Sequence, residues 1–495
     1  MTSPLLRQVF VAAAICLNTL GHGAGLGYSA VLVPQLQDES SPIPVTANMA
    51  SWIAAVTAPS LIVGNSLSAS IMSKLGRKIT TYIMSGGAIV GWAALLLAPN
   101  FEFIIIGRIL QGVSFGMAMP LRSIVLGEYT SPKYRGTFLT TISLGQTFGI
   151  LFAHFTGTLF HWQITGLIIT GFFFISHIMT IYSPESPSFL ATKGRFEECR
   201  QAFHWLRGYE EEAELDDLIE TCLLLEKDRI EESTLHKRSF RDRFQMITKP
   251  EFYKPIVVMA HCYNLGQVSG STILANYPLL LLGSVLVPGS NVKFWMIALD
   301  TQRLLTNIGA VFIISKVKRR TMVISVASLS AFSMFCISAY VYLRHNSMLP
   351  YDAAWIPILL LNIQVFCIGM GMVPLPAIIA GEIFPLEYRS IGSSFSLISN
   401  ALLMFVALKT FPLLVEYLGM HGSYLLYGCF TFYNVCVIYF LMPETRGKTL
   451  QQIEDEFRGR PLKAHEIRER QSLQNDELYQ RKMSLRKASV HSIAL

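Results

Sequence analysis

Glu128-Tyr129-Thr130-Ser131-Pro132-Lys133-Tyr134-Arg135 returns later in the chain as Glu382-Ile383-Phe384-Pro385-Leu386-Glu387-Tyr388-Arg389. Both copies follow a long apolar run, and both keep the acid, the tyrosine and the arginine at the same spacing. Two further stretches recur in the same order. Ser73-Lys74-Leu75-Gly76-Arg77-Lys78 matches Ser315-Lys316-Val317-Lys318-Arg319-Arg320, and Pro184-Glu185-Ser186 matches Pro443-Glu444-Thr445. Three motifs repeated in order mark an internal duplication.

The runs between these motifs decide the class of the protein. Of 495 residues, 52% are hydrophobic and 15% charged, with a formal net charge of +7; soluble domains carry about 25% charged residues. A helix needs about 20 mainly apolar residues to cross roughly 30 Å of hydrocarbon. Twelve stretches satisfy this, at 8–30, 48–71, 80–98, 102–127, 137–157, 163–182, 254–280, 293–314, 321–343, 354–381, 390–416 and 422–441. A soluble enzyme and a nucleic-acid-binding protein are thereby excluded. The first stretch contains Gly21-His22-Gly23 and lacks a cleavage signal, so it reads as a retained span.

The expected fold is an all-α membrane protein of twelve transmembrane helices in two six-helix bundles, residues 1–185 and 254–444. Residues 186–253 form a cytoplasmic linker, where charges alternate with Phe196, Phe203, Trp205, Leu206 and Leu218 as in short amphipathic helices. Residues 445–495 form a cytoplasmic tail, disordered beyond 460. Basic turns at Lys74, Arg77, Lys78 and at Lys316, Lys318, Arg319, Arg320 place those turns in the cytoplasm. An even number of spans then puts both termini on that side. Two basic-basic-x-Ser patterns in the tail end at Ser484 and Ser489 and suit a basophilic kinase. The eight cysteines show neither disulfide nor zinc spacing, and no nucleotide-binding glycine loop occurs. Neither a metal nor a cofactor is expected.

With Pro184-Glu185-Ser186-Pro187-Ser188-Phe189-Leu190, Lys193-Gly194-Arg195, Trp205-Leu206-Arg207-Gly208 and Pro443-Glu444-Thr445-Arg446-Gly447-Lys448-Thr449-Leu450 in place, the chain resembles the sugar porter family of the major facilitator superfamily. Within it, the chain is similar to the insect facilitated trehalose transporter-like group. Gly107-Arg108 with Gly112 and Gly116, and Gly381-Glu382-Ile383-Phe384-Pro385, also match its signatures. The resemblance implies the major facilitator fold, a plasma-membrane location and a saccharide, trehalose or a relative, as the small-molecule substrate.

Charged residues at cytoplasmic helix ends are read first as positive-inside charge and helix-end solvation. The resemblance implies a gate instead, formed by Arg77, Arg108, Glu128, Arg135 and Glu185 in one half and Arg319, Arg320, Glu382, Arg389 and Glu444 in the other. Acids and arginine forks would pair across the halves when the cytoplasmic side closes. Ser73 and Ser315 stand where the family has Asp, and Lys318 where it has Gly.

Hydroxyl-rich substrates call for amides, hydroxyls and aromatic faces. The candidates are Ser143 and Gln146 in the fifth span, Gln267, Thr272 and Tyr277 in the seventh, Arg303 in the eighth and Asn400 in the eleventh. Polar residues in spans also tie helices together. Against the family pattern, Gly266-Gln267 replaces a Gln pair, Thr272 an Asn, Ser143 a Gln, and Ala377 an aromatic. Arg303 stands at an Asn position. It either pairs with Asp300, three residues away, or faces the cavity and binds an anion. Family symporters carry an acid after the first-span Gly-Tyr pair. Here Gly27-Tyr28 is followed by Ser29, which favours facilitated diffusion. His22 and His154 read as structural hydrogen bonders, with titration as the alternative. A membrane sensor that binds sugar without moving it is the rival of a different class.

Overall fold

The structure, a computed structural model, describes residues 3–209, 211–232, 250–314, 316–349, 352–384, 389–448 and 450–459. Ser484 and Ser489 lie outside the described residues, as do Ser315, Tyr388 and the side chain of Arg389.

Among the described residues, all regular structure is helical. Ten stretches are long and apolar enough to cross a membrane, and the two missing from twelve have physical explanations. One 48-residue stretch, Ser394–Leu441, contains two spans. Gly419 divides it at φ 68°, ψ 173°, a left-handed conformation that only glycine adopts without strain. The other is the seventh span, expected as a single helix over 254–280. It is broken into α12 (Pro250–Val268), α13 (Ser271–Asn276) and α14 (Pro278–Val285). Gly270 at φ 85° causes the first break, and Pro278, which has no N–H to continue a helix, begins the last piece.

The first half contains α1 (Pro4–Gly27), α2 (Ser29–Leu36), α3 (Ala47–Ala55), α4 (Thr57–Leu75), α5 (Arg77–Leu96), α6 (Phe101–Tyr129), α7 (Pro132–Leu159) and α8 (Trp162–Tyr182). The N-terminal ends are capped locally: Asn100 accepts from the Phe103 amide at 3.2 Å, and Pro132 occupies the first turn of α7. The second half adds α15 (Val292–Ile314), α16 (Arg319–His345), α17 (Trp355–Cys367), a π-helical turn at Ile368–Met372, α18 (Pro374–Ile383), α19 (Arg389–Leu441) and α20 (Leu450–Arg458).

The linker forms α9 (Pro187–Thr192), α10 (Phe196–Arg207) and α11 (Glu212–Glu232). Leu190, Cys199, Phe203, Leu215 and Ile219 make its own small core. It is fastened to the first bundle by polar contacts. Arg7 donates to the Trp205 carbonyl at 2.9 Å, and Arg207 to the Thr130 carbonyl at 3.0 Å. The described chain begins and ends on this side, called here the terminal face.

The two halves meet toward the opposite, far face. There α15 packs on α7, α19 on α3 and α4, and α13 on α1 and α2. Ala54, Ala55, Ala58, Leu61 and Phe115 of the first half share one apolar core with Tyr277, Met404, Leu408 and Phe411 of the second. Lys409 of α19 donates to Asn48 Oδ1 at 2.6 Å and Ser51 Oγ at 2.7 Å and lies 4.5 Å from the Trp52 ring centroid. No hydrogen bond or ion pair between described residues joins the halves on the terminal face. The molecule is therefore closed on the far side.

Candidate functional site

Below the far-face seal, polar side chains from both halves meet at mid-helix. Asn307 of α15 donates from Nδ2 to Ser143 Oγ at 3.0 Å and Thr147 Oγ1 at 2.9 Å, both on α7. In the second half, Gln267 Nε2 donates to Asn400 Oδ1 at 2.9 Å, and the Thr272 hydroxyl donates to Gln267 Oε1 at 2.5 Å. The structure thus brings Gln267, Thr272 and Asn400 into one network. The break at Gly270 accompanies it: α12 ends at Val268, α13 begins at Ser271, and Thr272 of the new helix bonds back to Gln267. Gln146 is half-buried on α7, one turn beyond Ser143.

Tyr277 sits at the α13–α14 break, almost fully buried, and its hydroxyl donates to the Leu408 carbonyl at 3.1 Å. It belongs to the far-face seal. Arg303 is also buried, and its Nη2 donates to Ser271 Oγ at 2.8 Å while Nη1 has no partner. Of the two alternatives for Arg303, the pairing with Asp300 is not formed. Asp300 instead faces His154 of α7, Oδ2 to Nδ1 at 2.5 Å, across the boundary between the halves.

On the terminal face the two halves carry the same construction. Arg77 holds Glu128 through two bonds, Nε to Oε2 at 2.8 Å and Nη2 to Oε1 at 2.6 Å. Glu185 accepts from the Arg77 amide at 2.9 Å and the Ser186 amide at 2.7 Å, and the Ser186 hydroxyl donates to Glu128. In the second half, Arg319 Nη2 donates to Glu382 at 3.2 Å and Thr445 to the same carboxylate at 2.6 Å. Glu444 accepts from the Arg319 amide at 2.8 Å and the Arg320 amide at 3.2 Å. Arg320 also donates to the Tyr439 carbonyl at 2.6 Å. In this conformation the described pairs all lie within a half. Arg135 lines a cleft with Glu128 and Arg207, and its buried Nε has no partner.

Arg108 departs from the expectation of a cytoplasmic helix end. Its helix starts at the far face with Phe101, so Arg108 lies two turns from that side. It is 1% exposed and donates to the carbonyls of Ile53 and Gly25, to Gln111 Oε1 and to Ser29 Oγ, the last at 2.8 Å. Three backbone and side-chain acceptors from other helices make it a tie among α1, α2, α3 and α6, remote from the terminal-face pairs.

Asn307, Thr147 and the His154–Asp300 contact across the halves were not expected from the sequence. Asn307 carried a usable signal, since it lies one turn beyond Arg303 on the same face of α15.

The family described as "Sugar (and other) transporter" matches residues 15–457. The chain belongs to this family. It is 25% identical to the facilitated trehalose transporter Tret1 of Drosophila virilis over 93% of the chain, spanning about half (50%) of that relative's length. It is also 25% identical to the solute carrier family 2, facilitated glucose transporter member 8 of Bos taurus, over 93% of this chain and 96% of that one. Among solved structures, the inward-open xylose transporter XylE from E. coli superposes with a TM-score of 0.73 at 17% identity, covering 91% of this chain and 99% of that chain. The major facilitator fold follows, and the chain is a multi-pass membrane carrier and not an enzyme.

Proposed function

We propose that this carrier moves a saccharide, trehalose or a related sugar, by facilitated diffusion with alternating access and without a cofactor. The observation that carries the reading is two polar networks at mid-helix, one joining Asn307 of the second half to Ser143 and Thr147 of the first, the other joining Gln267 to Thr272 and Asn400. Such groups both donate and accept, as exchange for a sugar's hydration shell requires. The named trehalose and glucose carriers among the relatives support the substrate class. Ser29, where an acid would serve a symporter, is a neutral acceptor for Arg108.

The basic turns at Lys74–Lys78 and Lys316–Arg320 support a cytoplasmic terminal face of a plasma-membrane protein, with both termini on the cytoplasmic side. In the opposite conformation, Arg135, Arg389 and the two Arg–Glu clusters would pair across the halves and close that face. The tail serines Ser484 and Ser489 are offered as sites for a basophilic kinase.

Uptake of radiolabelled trehalose, glucose, fructose and a small organic anion into proteoliposomes tests the reading. Saturable sugar uptake that equilibrates, and that a pH gradient does not drive into accumulation, is the expected result. Trehalose binding without uptake would replace the carrier with a sensor. The unpartnered Nη1 of buried Arg303 favours one second reading, a carrier of an anionic solute. Anion uptake that is abolished by Arg303→Asn would establish it.

A further inference from the structure

His154 and Asp300 are 0% and 3% exposed at the side chain, and neither is used by the sugar path. The imidazole is held at both nitrogens: Nδ1 lies 2.5 Å from Asp300 Oδ2, and Nε2 lies 3.1 Å from the Ala275 carbonyl. A neutral imidazole has one N–H and one bare lone pair. The carbonyl only accepts, so the ring's hydrogen belongs on Nε2. Nδ1 would then turn a lone pair onto a carboxylate oxygen at 2.5 Å, unless a further proton lies between them.

The bridge in this conformation therefore holds one proton more than a neutral histidine beside an ionised aspartate. Which of the two groups owns it does not change the count. Among the described residues, no other titrating side chain bonds to the bridge. Arg303, on the same helix as Asp300 and three residues further on, is turned to Ser271. α1 presents Gly27 to it, with Tyr28 spent on the Trp162 carbonyl, and α2 carries no charged residue. On α6, Arg108 is turned to Gly25, Ile53 and Ser29. On α8, His177 is turned to Ser85.

His154 belongs to the first half, and Asp300 and Ala275 to the second. Opening the far face parts the ring from both acceptors and admits water. A solvated histidine releases its proton above about pH 6.5 and an aspartate above about pH 3.9. We propose that closing the far-face gate takes one proton from the external solution onto the His154–Asp300 bridge and that opening returns it there, so that external pH sets how often the gate is open. The state that binds more protons gains as pH falls. Rising external pH therefore favours the open gate, and below about pH 6.5, where a solvated histidine is itself protonated, the dependence flattens.

The inference rests on the alternating-access reading, and its test reads gate position without uptake, so failure of one is distinct from failure of the other. Spin labels at Ser40→Cys and Lys293→Cys, exposed far-face positions in opposite halves, are placed in a full-length chain lacking its native cysteines and reconstituted in lipid. The distance distribution is measured by pulsed electron resonance from pH 6 to 9. The long-distance population should grow with pH in the parent and stay constant in His154→Gln, which keeps a donor for Ala275, and in Asp300→Asn. A parent distribution that ignores pH, or a pH response that survives both substitutions, overturns the proposal.

Discussion

At the residue scale, Gln267 holds the mid-helix network of the second half together, the proposed substrate contact, because it bonds Asn400 with its amide nitrogen and Thr272 with its oxygen. Truncating it removes two hydrogen bonds to half-buried partners, each worth about 0.5–1.5 kcal/mol. Gln267→Ala should therefore raise the KM for sugar uptake by about tenfold or more, using about 1.4 kcal/mol per decade. Asn400→Ala should do much the same, and the double variant should lose far less than the product of the two. A fully multiplicative loss would mean that the two side chains act separately. Gln267, Thr272 and Asn400 were legible in the sequence as polar residues in apolar runs, but their joint network was not, since it spans the break at Gly270. The His154–Asp300 bridge was illegible for a related reason. Each residue has plausible partners on its own helix, Arg303 three residues from Asp300 among them, and no periodicity argument reaches across two halves of a molecule.

At the element scale, two glycines interrupt spans for different purposes, and substitution separates them. Forcing a non-glycine residue into a left-handed conformation costs about 1–2 kcal/mol. Gly419 at φ 68° turns the chain between two spans on the far face, where a Cβ would sit 3.0 Å from the His421 ring. Gly270 at φ 85° bends the seventh span within the membrane, and a Cβ there would meet Gln364 Nε2 at 2.9 Å, the group that donates to the Ser269 carbonyl. Both alanine variants should lower the unfolding midpoint in detergent by a few degrees. Gly270→Ala alone should also cut the uptake rate several-fold, measured per copy of reconstituted protein. Equal uptake by the two variants would show that the seventh-span break is only a packing device. The twelve spans could be read from their apolar length. The broken seventh could not, because a helix and a broken helix bury the same residues and differ only at one glycine's backbone angles.

At the scale of the whole molecule, the paired terminal-face motifs and the far-face seal describe one end of a rocking cycle. Arg77 holds Glu128 and Arg319 holds Glu382, each within its own half, so these pairs do not oppose separation of the halves on that side. What opposes separation on the far side is the shared apolar core together with Lys409, which reaches from α19 to Asn48, Ser51 and the face of Trp52. A carrier must break that seal once per cycle, so locking it should stop transport without unfolding anything. Joining Ser51→Cys to Lys409→Cys with a reducible bifunctional thiol reagent should abolish sugar uptake, and dithiothreitol should restore it. A cysteine at Gly136, which is exposed near the terminal-face end of α7 with nothing within 4 Å of its Cβ position, should stay as reactive in the locked protein as in the free one. Uptake that persists through the cross-link would mean that the halves do not part at Lys409. Charge reversal on the other side acts on the opposite step. Glu382→Lys and Arg135→Glu should each slow uptake at unchanged surface expression by destabilising the state in which the terminal face closes, and normal rates in both would remove these charges from the cycle. Because the two faces cannot be open together, the far-face cross-link and the terminal-face charge reversals should trap the same conformation, and spin-label distances across the far face should be short in both.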